Sequence, residues 1–217
     1  MTEPQTLSAP HFDAPFRDRL AELIRWRRDV RRFRRDPLPE DALERLIALA
    51  TRAPSVGYSQ PWRWVRVVTP ERRAAVAESF ARCNADALGG YRGERARLYA
   101  SLKLSGMDEA PEHLAVFSEE EPAGHGLGRT TMPETLAYSA VMAIHTLWLA
   151  ARAEGIGLGW VSILDPETIV RSLETPPTWR FIAYLCLGYP SEDNSAPELA
   201  RRGWEHADPR ATTIHLR

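Results

Sequence analysis

The chain has 217 residues, of which 44% are hydrophobic and 26% charged, and its formal net charge is −1. This composition is ordinary for a folded globular protein and excludes an intrinsically disordered chain. The balanced charge gives the molecule no general attraction to polyanions, so we expect no nucleic-acid partner.

The compartment is predicted from what the sequence lacks. The longest apolar stretch, residues 136–151, contains polar residues and is too short to span a bilayer. Residues 1–15 are polar and lack the apolar core of a secretory signal. Cys83 and Cys186 have no CxxC spacing, which argues against a disulfide framework or a zinc site. We therefore predict a cytoplasmic protein with no membrane association and no metal.

The first part of the chain alternates predicted helices with extended segments. Apolar residues at helical spacing predict a helix over 16–27, and a second helix is predicted over 39–50. Between them, residues 27–33 are predicted to be extended. The Pro- and Gly-containing stretch 53–62 is predicted to be a loop, and the β-branched stretch 63–68 a strand.

The rest of the chain has long helices and few strands. Helices are predicted at 69–88, 95–104 and 133–154 and after Asp165, and strands at 113–117, 157–164 and 179–190. Interspersed helices and few strands predict an α+β fold, with a sheet covered by helices. No linker divides the chain, so we predict a single domain over 16–205 with terminal extensions, 1–15 and 206–217.

Two of these elements have further implications. The helix predicted over 133–154 is apolar nearly all round, so it should be buried, and it favours a large subunit interface. The loop 119–133 has the length of loops that are usually functional. It contains glycines but neither the spacing nor the lysine of a P-loop, which excludes that kind of nucleotide site.

Residues 27–33, RRDVRRF, place four arginines around one carboxylate. In an extended segment their side chains alternate between two faces, with Arg27, Asp29 and Arg31 on one and Arg28, Val30 and Arg32 on the other. Guanidiniums that flank one position suit bidentate phosphate binding. Two interpretations remain open: a solvated, salt-bridged surface, or an anion site whose acid serves chemistry.

The loop 53–62, APSVGYSQPW, combines small residues, hydroxyl groups, an amide and an aromatic ring. Ser55, Ser59 and Gln60 can hydrogen-bond to the polar edge of a ring, and Trp62 can pack against a flat ligand. An ordinary proline-containing turn is the alternative interpretation.

Together, RRDVRRF and APSVGYSQPW resemble the flavin-binding nitroreductase family, which has an Arg-x-Ser-x-Arg-like segment after its first helix and an Ala-Pro-Ser…Gln-Pro-Trp loop. Asp29 stands where that family usually has Ser, and Tyr58 where it often has Asn. With these departures, the chain resembles one branch, the 5,6-dimethylbenzimidazole synthases of the BluB family. The resemblance covers residues 16–205 and includes LKLSGM (102–107), GLGRTTMPET (126–135), TLWLAARAEGIGLGWVSIL (146–164) and LGYP (187–190).

The resemblance implies a nitroreductase-like α+β fold, with a central, mostly antiparallel sheet flanked by helices. It implies a homodimer with FMN sites at the subunit interface. The implied enzyme is an oxidoreductase that uses molecular oxygen to fragment reduced FMN into 5,6-dimethylbenzimidazole, the lower ligand of cobalamin, and erythrose 4-phosphate. Reduced FMN would then be substrate as well as cofactor, supplied by a separate flavin reductase.

The resemblance also implies roles for single residues. Asp29 matches the acid used in fragmentation, as a base that helps to take a proton from the ribityl carbon next to the ring; the guanidiniums around it favour its ionised form. Ser162 matches a second functional residue, with a hydroxyl near N5 of the ring, although a Ser at a strand end is usually a local hydrogen-bonder. The residues predicted to bind the flavin are Arg27, Arg28, Asp29, Val30, Arg31, Ser55, Ser59, Gln60, Leu104, Ser162 and Arg201.

Two other functions remain open. An NAD(P)H-dependent flavin or nitro reductase on the same fold would need an open slot over the ring for the nicotinamide. If the loop 119–133 covers the flavin, it would exclude the nicotinamide and also water. A flavin carrier or nucleic-acid-binding protein could use the arginine cluster without catalysis, but the net charge argues against nucleic acid.

Overall fold

The structure, a computed structural model, describes residues 9–124 and 126–217. Much of the predicted N-terminal extension and His125 of the loop 119–133 lie outside these ranges. The helices are α1 (Ala14–Trp26), α2 (Ala42–Ala50), α3 (Pro70–Gly89), α4 (Gly93–Ser101), α5 (Thr135–Ala153), α6 (Pro166–Ser172) and α7 (Glu198–Arg201). The strands are β1 (Trp62–Arg66), β2 (Glu112–Glu119), β3 (Gly157–Val161) and β4 (Trp179–Gly188). No helix within the described ranges is long and apolar enough to cross a membrane.

Aspartate and proline set where two of the helices begin. The Asp13 carboxylate accepts the N–H of Phe16 at 2.9 Å at the start of α1. The Asp165 carboxylate accepts the N–H of Thr168 at 3.3 Å at the start of α6. Each aspartate is followed by a proline within the first two helical positions. A carboxylate satisfies a donor that the helix leaves unpaired, and proline fits the first turn, so the predicted helix after Asp165 is confirmed.

The strands form one antiparallel sheet in the order β1-β2-β4-β3, with helices on both faces. Successive residues of β2 point to opposite faces. Leu114 and Val116 pack with α2 and α5, whereas Ala115 and Phe117 pack with α3 and α6. The prediction of an α+β fold with a helix-covered antiparallel sheet is confirmed.

The strand β3 is shorter than predicted. It ends at Val161, although a strand was predicted to continue to residue 164. The chain leaves the sheet there because Asp165 must cap α6, and the backbone N–H of Asp165 donates to Ser79 Oγ at 3.2 Å. Ser162, which was predicted to lie late in the strand, therefore lies just beyond it. The first helix also begins two residues earlier than predicted, so the boundary of the N-terminal extension at residue 15 falls inside α1.

Apolar side chains on two helices remain uncovered in the single chain. α1 has no buried residue, and it exposes Phe16, Leu20 and Ile24 along one face. α5 was predicted to be buried all round, but only part of its surface is buried. It exposes Tyr138, Val141 and Met142, while other faces carry the buried Ala140, Ile144 and Leu147. Apolar faces of this extent are typical of surfaces that contact another protein.

The buried imidazole of His113 on β2 makes the stability of the fold sensitive to acid. Its Nδ1 lies 2.8 Å from the hydroxyl oxygen of Tyr184. Burial lowers the pKa of His113 to about 4, and the charge of Arg73 acts in the same direction. Because this value lies below the unfolded pKa of about 6.5, the folded state binds fewer protons. The contribution of neutral His113 to the free energy of unfolding is fully present above about pH 6.5, and it falls by roughly 3 kcal/mol as the pH approaches 4.

We expect His113→Gln to remove most of this loss of stability. Glutamine can still hydrogen-bond to the Tyr184 hydroxyl, but it does not titrate. The measurement is the free energy of urea unfolding of ligand-free protein at several pH values between about 7.5 and 4.5. His206→Gln, at an exposed position near the C-terminus, is the control and should keep the wild-type slope. Parallel curves for His113→Gln and wild type would show that the acid sensitivity arises elsewhere.

Candidate active site

The segment 27–33 is extended, as predicted, and it lies beside β3 at the edge of the sheet. The N–H of Val30 donates to the carbonyl of Leu158 at 3.0 Å, and Asp29 forms a parallel bridge with Leu158. Glycine makes the approach possible, because a Cβ at Gly159 would collide with the carbonyl oxygen of Val30. The edge strand therefore fixes the backbone of the arginine segment.

Both oxygens of the Asp29 carboxylate are held by the protein. Oδ1 accepts the backbone N–H of Trp160 at 2.8 Å. Oδ2 lies 2.9 Å from Nε and 2.8 Å from Nη2 of Arg31. The Asp29 side chain nevertheless stays 29% exposed, whereas that of Arg31 is 14% exposed. The carboxylate is thus fixed in orientation and still open on one side.

Two arginines of the segment are engaged by residues near the C-terminus. The guanidinium of Arg28 donates to the carbonyls of Arg27 and Ser195. Burial, together with neighbouring positive charge, lowers the pKa of Arg28. Arg32 forms an ion pair with Glu198 at 2.7 Å. These two side chains therefore join the segment to residues 192–204, which we call the C-terminal wall.

Other arginines at the site keep their guanidiniums free or weakly paired. Arg27 lies over the ring of Trp148, 4.8 Å from its centroid, and makes no side-chain hydrogen bond or ion pair within residues 9–124 and 126–217. Among the described residues, the one carboxylate near Arg201 is that of Glu192, at 3.9 Å. Such guanidiniums remain available to an anionic ligand.

Two adjoining clefts flank the segment. The first has a volume of about 160 Å³ and is lined by Arg27, Asp29 and Arg31 and by residues 197–199 at the start of α7. The second is lined by Arg28, Arg32, Glu192, Glu198 and Arg201, among others. Together the clefts hold five arginines against three carboxylates, an excess of two positive charges. That excess suits a phosphate monoester, which carries about two negative charges at neutral pH.

Ser162 and Leu104 are two further predicted residues. Each lies within two positions of a residue that contacts the arginine segment. Ser162 is exposed, follows β3 directly and is two residues from Trp160, the donor to Asp29. Leu104 follows Lys103, whose carbonyl lies 3.4 Å from Nη1 of Arg31. The structure therefore places both residues in the region of the Asp29 carboxylate.

The loop 53–62 approaches a different part of α5 from the one that contacts the arginine segment. The N–H of Val56 donates to Ser139 Oγ at 3.0 Å, whereas the indole N–H of Trp148 donates to the carbonyl of Arg28 at 3.1 Å. Nine positions of an α-helix span about 14 Å. No hydrogen bond or ion pair joins residues 27–33 to the loop 53–62 within one chain. Within a single chain the two predicted parts of the flavin site therefore make no direct polar contact.

The loop 53–62 has a constrained backbone. Tyr58 and Gln60 have φ values of 54° and 44°, which residues other than glycine rarely adopt. Ser55 Oγ accepts the N–H of Gln60 at 3.1 Å, and Ser59 Oγ is buried with no hydrogen-bond partner among the residues that the structure describes. A Cβ at Gly57 would lie 2.5 Å from the carbonyl oxygen of Leu127, so the loop 119–133 packs closely here. Strain and an unpaired buried hydroxyl are features of ligand-binding loops.

Sequence reasoning named Arg201, which lines the second cleft, but gave no role to the rest of the C-terminal wall. Ser195 and Glu198 meet Arg28 and Arg32 across more than 160 residues of chain, which no local pattern reveals. One signal was present, because an excess of arginine in 27–33 needs carboxylates from elsewhere in the sequence. Nor does any local pattern reveal that the indole N–H of Trp148 donates to the carbonyl of Arg28.

Comparisons with known proteins agree with this architecture. Residues 24–189 match the model of the Nitroreductase family. The chain is 56% identical over 203 residues to the 5,6-dimethylbenzimidazole synthase of Rhodospirillum rubrum, covering 93% of this chain and 96% of the relative. It is 53% identical over 196 residues to a protein of the same name from Rhodobacter capsulatus, covering 90% and 95%.

A solved structure confirms the fold. Iodotyrosine deiodinase bound to FMN and 3-iodo-L-tyrosine superimposes with a TM-score of 0.68 at 24% identity, covering 81% of this chain and 91% of the other. This chain belongs to the nitroreductase family of enzymes. Within that family, it is similar to the 5,6-dimethylbenzimidazole synthases over nearly its whole length, which confirms the resemblance seen in the sequence.

Proposed function

We propose that this enzyme uses molecular oxygen to fragment reduced FMN into 5,6-dimethylbenzimidazole and erythrose 4-phosphate. The observation that carries the proposal is the fixed carboxylate of Asp29 beside clefts with an excess of arginine. Relatives named 5,6-dimethylbenzimidazole synthase at 56% and 53% identity support it.

The phosphate of reduced FMN is proposed to lie against Arg27, Arg31 and Arg201. Arg27 and Arg201 have guanidinium donors free for a ligand, and Arg31 lines the first cleft beside its ion-pair partner Asp29. Arg28 differs from these arginines, because its two terminal nitrogens already donate to the carbonyls of Arg27 and Ser195. We propose that Arg28 contributes chiefly by holding the C-terminal wall, and that the exposed hydroxyl of Ser162 meets the ring near N5.

The products define where a base is needed. Erythrose 4-phosphate has one carbon fewer than the ribityl phosphate chain, so the carbon next to the ring must stay with the aromatic product. A proton must leave that carbon, and the carboxylate of Asp29 is the proposed acceptor. Arg31 and the N–H of Trp160 hold this carboxylate in one orientation, which positions it for the proton transfer. The reduced flavin itself supplies the electrons for the reaction with oxygen.

We propose that a homodimer completes the site. The exposed apolar faces of α1 and α5 would be covered by a second copy. That copy would also supply Ser55, Ser59 and Gln60, which lie apart from the arginine segment in a single chain. The loop 119–133, which packs on Gly57, is the proposed cover of the flavin. A separate flavin reductase would supply the reduced substrate in a transient encounter.

A product assay tests this function. FMN is reduced without oxygen, mixed with a stoichiometric amount of protein and then exposed to air. We expect 5,6-dimethylbenzimidazole, identified by chromatography and mass, to appear in step with the loss of flavin. Intact FMN together with rapid NAD(P)H oxidation would instead support the alternative, a flavin or nitro reductase.

Replacing Arg31 by Ala should weaken FMN binding by about 1.5–3 kcal/mol, because a charge-assisted hydrogen bond is lost. The change also leaves Asp29 without its ion-pair partner in an anion site. The measurement is the Kd for oxidised FMN. Arg66→Ala is the matched control, because Arg66 at the end of β1 pairs with Glu112 of β2 at 2.6 Å and lines neither cleft. An unchanged Kd for Arg31→Ala would remove Arg31 from the site.

A further inference from the structure

An aromatic cluster fastens the C-terminal wall to α4. The ring of Trp204 makes edge contacts with Tyr91 and Tyr99, at centroid distances of 5.3 and 5.7 Å. The guanidinium of Arg95 lies 3.7 Å from the centroid of Trp204, and Nη1 of Arg95 donates to the Trp204 carbonyl at 2.9 Å. The hydroxyl of Tyr99 donates to Asn84 on α3 at 2.9 Å, which ties the cluster to the body of the protein.

The cluster lies directly after the residues that form the wall of the clefts. Trp204 follows Arg201 by three residues, and its N–H donates to the carbonyl of Leu199 at 2.9 Å. α7 itself has only four residues, too few for a helix that is stable by its own hydrogen bonds. Its position must therefore come from tertiary contacts. The Arg32–Glu198 ion pair fixes one end, and the Trp204 cluster fixes the other.

We propose that Trp204 and Arg95 are positioning residues for the phosphate end of the substrate cleft. They act through α7 by setting where Glu198 and Arg201 lie relative to the arginine segment, and they do not touch the reacting atoms. The proposal rests on the proposed function in taking FMN as the ligand. It predicts that binding of the phosphate end of FMN depends on the C-terminal wall, whereas binding of the flavin ring does not.

The test compares FMN with riboflavin, which lacks the phosphate. We expect Trp204→Ala to raise the Kd for oxidised FMN about tenfold, with a change of less than about twofold for riboflavin. Trp204→Phe, which keeps an aromatic ring in the cluster, should restore most of the FMN affinity. Turnover at saturating reduced FMN should stay within about twofold of wild type, because binding is lost and chemistry is kept.

Arg95→Met is the second variant, and it leaves the three aromatic rings in place. We expect it to raise the Kd for FMN about threefold, again with little change for riboflavin. Arg97→Met is the matched control, since Arg97 is another exposed arginine on α4, and it should bind both flavins as wild type does. If Trp204→Ala does not fold, the comparison of Arg95→Met with Arg97→Met decides the question.

Two outcomes would overturn the proposal. One is an unchanged ratio of the FMN and riboflavin Kd values in both the Trp204→Ala and Arg95→Met variants. The other is wild-type protein that binds riboflavin as tightly as FMN. The proposed function fails separately: wild-type protein that binds FMN tightly but forms no 5,6-dimethylbenzimidazole would refute the reaction, and the ratio of Kd values would still decide the role of Trp204.

Discussion

Replacing Asp29 by Asn should stop 5,6-dimethylbenzimidazole formation while FMN remains bound. The amide oxygen of Asn can still accept the N–H of Trp160, so the segment should keep its place beside β3. What is lost is the proton acceptor and the ion pair with Arg31. Removing a general base typically costs about 10²–10⁴ in rate, so we expect at least about a hundredfold loss.

The measurement is the yield of 5,6-dimethylbenzimidazole in a single turnover, together with the Kd for FMN. Asp36→Asn is the matched control, because Asp36 is an exposed carboxylate that pairs with Arg34 at 3.2 Å, outside the clefts. It should retain wild-type yield. Full activity in the Asp29→Asn variant would end the role assigned to this carboxylate.

Gly159→Ala should disrupt the site although it changes no polar group. The added methyl group would collide with the carbonyl oxygen of Val30, a backbone atom that cannot move unless the whole segment shifts. Crowding of this kind costs about 1–3 kcal/mol, and here it also displaces Asp29 from the N–H of Trp160. We expect a lower free energy of unfolding and a large loss of FMN affinity.

Gly89→Ala provides the contrast for this prediction. Gly89 ends α3, and an added Cβ there would meet no atom of the described residues within 4 Å. Its replacement should be neutral or should stabilise the protein by about 0.4–1 kcal/mol. Urea unfolding and flavin titration of both variants make the comparison. A Gly159→Ala variant with wild-type stability and affinity would contradict the close approach of Val30 to β3.

Local chemistry in the sequence predicted much of the fold. The start of α6 is set by Asp165 and Pro166, two neighbouring residues whose capping role is independent of the rest of the chain. The end of β3 could not be predicted in the same way. It depends on pairing with β4 and on where the capped helix must begin, and both depend on tertiary structure.

In the candidate site, too, some features follow from local sequence and others depend on tertiary structure. The alternation of RRDVRRF predicted that Asp29 and Arg31 share a face, and the structure pairs them at 2.8 Å. The need for Gly159 was hidden, because the atom that excludes a side chain there belongs to Val30, far earlier in the sequence. The partners of Arg28 and Arg32 were hidden for the same reason.

The position of the arginine segment also bears on how the protein avoids self-association. β3 is the last strand of the sheet, and an uncovered edge strand is a template for pairing with other chains. The carbonyl of Leu158 and the N–H of Trp160 are occupied by Val30 and Asp29. If the arginine segment detached from β3, the substrate site would be lost, and the unpaired edge of β3 would be exposed at the same time. We therefore expect variants that loosen this segment to aggregate as well as to lose activity.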